Sequence, residues 1–154
     1  MGTNQRTARL IVAIASLSVP FVSVAADNVS GHFSGTRQQA DTIEISKGSK
    51  LTAYTTYSMI TSDNSALNGV GTCAGNTIIS SDGKTSVRST CTRVDKDGDT
   101  WDTVNEFPAG ADQGTWQLVG GTGKFSGMKC KGWFKYTQRE ANKIVMGDWG
   151  GNCQ

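Results

Sequence analysis

The chain has 154 residues, with 15 Lys and Arg against 13 Asp and Glu, 19 Gly, 2 Pro and 4 Cys. Arg6 and Arg9 account for the whole +2 excess, so the chain after residue 26 is formally neutral and offers no uncompensated basic face for a phosphate backbone; nucleic acid is excluded as a partner. Its 128 residues, what remains of 154 after the first 26, suit one domain with a single core rather than two.

The N-terminus predicts export. Arg6 and Arg9 precede an apolar stretch from Leu10 to Val24 that ends in the small residues Ala25 and Ala26, the order of a cleavable secretory signal over residues 1–26. Ser16, Ser18, Pro20 and Ser23 interrupt that stretch, which falls short of the roughly 20 apolar residues that span a bilayer, so no membrane anchor is expected. The protein is expected in the periplasm or outside the cell, with residues 27–154 as its single domain.

Runs rich in Thr, Val, Tyr and Trp, separated by turn dipeptides and lacking helical periodicity, predict an all-β domain. Strands are expected near 28–37, 41–46, 50–60, 69–79, 86–95, 100–107, 114–120, 128–137 and 143–149. Ser81-Asp82-Gly83-Lys84 and Asp95-Lys96-Asp97-Gly98-Asp99 supply residues that accept positive φ, and each is read as a hairpin turn. In Lys129–Tyr136, Cys130, Gly132, Phe134 and Tyr136 share one face and three lysines the other, which marks a half-buried strand. Sequential hairpins without long crossovers favour a small antiparallel up-and-down barrel of about eight strands, because closure removes unpaired edges. A β-sandwich is the alternative, with Thr61–Asn68 long enough to let the chain change sheets.

Four cysteines in an exported domain read as disulfides. A turn centred between Asp82 and Gly83 sets Cys73 opposite Thr92, one residue from Cys91, and a turn near Glu140 brings Cys153 close to the position facing Cys130. The expected pairs are Cys73–Cys91 and Cys130–Cys153. The cysteines are too widely spaced, and His32 too isolated, for a zinc site, so no metal or other cofactor is expected. His32 is read as a strand residue hydrogen-bonded to its neighbours.

Gly120-Gly121-Thr122-Gly123-Lys124 lacks the first glycine and the final Ser or Thr of a phosphate loop, because Leu118 and Phe125 stand there; it is read as a glycine-rich β-turn. Asp95, Asp97 and Asp99 alternate like the start of a calcium loop, yet Gly98 precedes the third acid, and a solvated hairpin turn is expected instead. The segment Leu118–Gly127, reading LVGGTGKFSG, resembles the glycine turn of dirigent proteins and of allene oxide cyclases, which share an eight-stranded calycin-like barrel. With Gly114-Thr115-Trp116 before it and Cys73, Cys91 and the Asp95–Asp99 turn upstream, it is similar to small secreted bacterial proteins of that barrel type. The resemblance implies the barrel. It assigns no catalytic residue, because the acids those families use lie outside the matched segment, and fold alone is no warrant for chemistry.

Three functional readings follow. An eight-stranded barrel is just able to hold one small ligand, and Tyr54, Tyr57, Trp101, Trp116, Phe134 and Tyr136 are candidate lining for a small apolar molecule; the same rings would serve equally as plain core. Gly31, Gly35, Gly69, Gly71 and Gly132, within strands, lean toward a hollow interior, although close strand contacts would also explain them. An interaction module is the second reading, carried by an acidic stretch (Asp95, Asp97, Asp99, Asp102, Glu106, Asp112) and a basic one (Lys124, Lys129, Lys131, Lys135, Arg139, Lys143), which would either face each other or dock a protein partner. A cyclase or isomerase is the third, and would need Glu44, Glu106 or Asp148 pointing into the barrel mouth.

Overall fold

The structure is a computed structural model and describes residues 27–63, 67–139 and 144–154; the expected signal segment lies outside the described residues. Eight strands run in sequence: β1 (Asp27–Ser46), β2 (Ser49–Ser62), β3 (Gly69–Ile79), β4 (Thr85–Val94), β5 (Thr100–Phe107), β6 (Gly114–Gly121), β7 (Cys130–Arg139) and β8 (Ile144–Cys153). Each pairs antiparallel with its neighbour, and β8 returns to β1, so the sheet closes as an up-and-down barrel and not a sandwich. Closure removes the barrel's own edges; past Thr36, β1 pairs with β2 alone among the described residues, so the β1–β2 hairpin runs on beyond the closed ladder.

The two strands expected over 28–37 and 41–46 are one. The chain continues through Gln38 as a bulge between Arg37 and Gln39, which keeps the ladder to β2 intact and lets a 20-residue strand bend round the barrel. The loop from Asp63 to Asn68 joins neighbouring strands within the same sheet, and Asp63 N–H donates to the Ser30 carbonyl at 2.8 Å.

Both disulfides form as expected. Cys73 faces Cys91 directly, not at an offset of one, because the turn is centred on Asp82: Ser80 and Lys84 close it, with Gly83 N–H donating to the Ser80 carbonyl at 2.8 Å. Cys130 pairs with Cys153 across β7 and β8.

One end of the barrel is plugged. After β6 the chain makes a single 3-10 turn (Gly123–Phe125) that drives Phe125 into the interior, where its ring lies 4.6 Å from that of Trp101. Both side chains are 1% exposed, and Leu67, Leu118 and Val29 pack in the same cluster. Burying each aromatic contributes on the order of 2–3 kcal/mol, and together they make this end a solid floor. The glycine-rich segment thus serves as a tight turn, as the sequence suggested, and its added role is to deliver that plug.

Candidate functional site

Above the floor the barrel is hollow, with an interior cavity of about 100 Å³. Its wall is divided by strand. From β1, β6, β7 and β8 come Phe33, Trp116, Phe134, Tyr136, Val145 and Trp149. Phe134 meets Phe33 edge-on at 6.1 Å and Tyr136 at 5.5 Å, while Trp116 and Trp149 form a second T-shaped pair at 5.8 Å. Such pairs hold ring orientation beyond what area burial alone gives. The indole N–H groups are satisfied by main-chain carbonyls, Trp116 donating to Gly150 and Trp149 to His32 and Thr61, so the apolar wall exposes little unpaired polarity.

The opposite wall, from β2 to β5, is richer in polar groups, although Tyr54, Ile60, Val87 and Trp101 also belong to it. Thr56, Ser58, Thr77, Ser89, Thr103 and Asn105 face the cavity beside the Cys73–Cys91 disulfide. Most distinctive is Arg93 on β4, 7% exposed, which lines the same space. Its Nη1 donates to Thr103 Oγ1 at 3.1 Å and its Nη2 to Cys73 Sγ at 3.6 Å, whereas Nε finds no hydrogen-bond partner within the protein. No Asp or Glu lines the cavity among the described residues. Burial pushes the pKa of Arg93 down to about 10, which leaves the guanidinium charged at neutral pH. A second guanidinium, Arg37, sits farther along the lining, over the Tyr54 ring at 4.7 Å.

Of the six aromatic candidates, Tyr54, Trp101, Trp116, Phe134 and Tyr136 line the cavity and Tyr57 does not. Tyr57 lies between Thr56 and Ser58, both inward and 6% exposed, so alternation along β2 turns its ring outward, where it is 50% exposed. Trp101 belongs more to the floor than to the wall. At four of the five strand glycines a Cβ would meet neighbouring strand or ring and not the cavity: on Gly31 it would fall 1.8 Å from the Thr61 carbonyl oxygen, on Gly69 2.2 Å from the Trp101 ring, on Gly71 2.0 Å from the Thr92 carbonyl oxygen and on Gly132 1.9 Å from the Gly150 carbonyl oxygen, whereas on Gly35 it would press on Thr56 and Val145, which line the cavity. Those four positions allow close strand and ring approach.

The three carboxylates weighed for acid–base chemistry lie on the outer surface. Glu44 is exposed and accepts the Gly48 N–H, Glu106 pairs with Arg88, and Asp148 lies 2.7 Å from His32 Nδ1. The aspartate turn is closed by its own first residue, Asp95, which accepts the N–H groups of Asp97 at 2.8 Å and Asp99 at 3.0 Å. Lys124 of the basic stretch meets Asp95 and Asp97 of the acidic one, so the two stretches face each other at this point.

No family model matches the chain, and no curated protein matches it in sequence. Solved structures do. The pterocarpan synthase dirigent protein GePTS1 superposes with a TM-score of 0.54 at 11% identity, over 93% of this chain and 96% of that one. A β-barrel-like protein from Acinetobacter baumannii AYE gives 0.57 at 11% identity, over 86% and 99%. A protein with unknown function from Clostridium acetobutylicum gives 0.54 at 10% identity, over 83% and 98%. At such identities the likeness is one of fold, and the dirigent-like barrel expected from Leu118–Gly127 is the fold of this chain.

Proposed function

We propose that this protein is an exported, non-catalytic binding domain that holds one small molecule inside its barrel. The observation that carries the reading is the lined cavity: above a plugged floor, an aromatic-rich wall and a wall richer in polar groups border about 100 Å³. That is of the order of the engineered apolar cavity of about 150 Å³ that admits benzene, so the ligand is a single ring or a short chain rather than a lipid or an oligosaccharide. Its apolar body would lie against Phe33, Phe134 and Trp149, and hydroxyl groups on β2 to β5 would orient it. Two disulfides and, among the described residues, no helix long and apolar enough to cross a membrane are compatible with an exported protein.

Three tryptophans border the cavity, so intrinsic fluorescence reports occupancy. Titration with small phenolics, terpenoids and short fatty acids should give saturable changes, and a filling variant, Ser58→Leu, should abolish them while leaving the circular dichroism spectrum unchanged. Binding that survives Ser58→Leu would place the ligand outside the barrel and overturn the reading.

A further inference from the structure

We infer that the ligand is a small carboxylate, and that Arg93 is the residue that recognises it. This rests on the interior-binding reading above and specifies its chemistry. A guanidinium buried without a counter-charge is unfavourable by itself, because the charge loses its hydration and gains no ion pair in return. The protein supplies Arg93 with one hydroxyl, Thr103 Oγ1, and one disulfide sulfur, which is a weak acceptor. The edge of the guanidinium formed by Nε and Nη2 is the fork that a carboxylate grips with two parallel hydrogen bonds. On that edge Nε has no protein partner and Nη2 has only the sulfur contact at 3.6 Å.

The surroundings select among anions. Across the cavity from β4 stand the rings of Phe33, Phe134 and Trp149, which favour an apolar body joined to the anionic group. The Arg93 guanidinium, with hydroxyl groups beside it, balances one negative charge, and a carboxylate matches the fork of its Nε and Nη2 edge. Arg37, farther along the lining, already lies over the Tyr54 ring. Thr103, on β5 and lining the cavity, accepts from Arg93 and keeps its own O–H to donate to a carboxylate oxygen, while Asn105 beside it already donates to Ser89 and Cys91.

The test uses pairs of ligands that differ only in charge: benzoate against benzamide, and hexanoate against hexanamide, followed by tryptophan fluorescence and by calorimetry on the disulfide-bonded protein. Wild type should prefer each carboxylate over its amide by about 30-fold, the range of a hydrogen-bonded pair with a charged group. Arg93→Met should erase that preference while still binding the amides, and Arg93→Lys should retain part of it. Circular dichroism verifies that each variant is folded. Equal affinity of wild type for acid and amide, or an unchanged preference in Arg93→Met, would overturn the role of Arg93 and leave interior binding intact. If neither member of either pair binds at millimolar concentration, interior binding itself fails.

Discussion

A Cβ placed on Gly123 would fall 1.8 Å from Oδ1 of Asp99, so the glycine turn after β6 and the aspartate turn between β4 and β5 interlock. Asp99 Oδ2 accepts the Lys124 N–H at 3.1 Å, and the Lys124 ammonium reaches across to Asp95. Gly123 also has φ +51°, which disfavours any side chain.

The first prediction concerns this joint. Gly123→Ala should destabilise the protein by about 2–4 kcal/mol, combining left-handed backbone strain with loss of a charge-assisted hydrogen bond. The floor residue Phe125 lies only two positions on, so its packing should loosen as well. Urea denaturation of Gly123→Ala, Asp99→Ala and the double variant forms the check. The double variant should be less destabilised than the sum of the singles, because removing the carboxylate removes the clash.

Acid stability should depend on the same turn. The Asp95 carboxyl is held below its ordinary value of 3.8, first by the hydrogen bond from Lys124 and further by the Asp97 and Asp99 N–H groups. Asp82 is lowered to about 2 by Lys84 and Ser80 in the β3–β4 turn. For groups depressed in the folded state, the stabilisation is fully present above the unfolded pKa and disappears as pH falls through the folded one. Denaturation midpoints should therefore be flat above pH 5 and fall between about pH 4 and 2. Asp95→Asn should flatten that fall, and an acid limb identical to wild type would remove Asp95 from the account.

Each disulfide should contribute about 3 kcal/mol through loop closure, since separations of 18 and 23 residues differ little on a logarithmic scale. Peptide mapping without reductant should return only Cys73–Cys91 and Cys130–Cys153. Replacing Cys73 and Cys91 with Ala should also enlarge the cavity they line, whereas the Cys130 and Cys153 pair should affect stability alone.

Arg93→Met should make the unliganded protein more stable than wild type, by about 1–4 kcal/mol, because an apolar side chain of similar volume replaces a buried charge that has no ion-pair partner. Thermal unfolding at pH 7 reads the difference. A Tm below that of wild type would mean that the Thr103 and Cys73 contacts outweigh the desolvation of the charge.

Much of this protein was legible in one dimension. Turn residues at Asp82-Gly83 and Asp97-Gly98 set hairpins that are local in sequence, so strand order, barrel closure and both disulfides followed from spacing. What the sequence left undecided was which face of each strand points inward. In Thr52–Ser58 neither set of alternate residues is apolar, and the barrel turns Thr56 and Ser58 in and Tyr57 out, against hydrophobicity. The inward face there is fixed by neighbours: Thr56 pairs with Cys73, whose disulfide to Cys91 lies inside. The same parity places Arg93, two residues after Cys91, in the interior, a signal present in the sequence that an argument from aromatic residues passes over. Phe33 and Trp149 joined the wall for a related reason, since they come from the first and last strands and share one wall only because the barrel closes. Local chemistry determines turns and strands, but facing is a property of the closed ladder, in which each strand inherits its orientation from the register of the next.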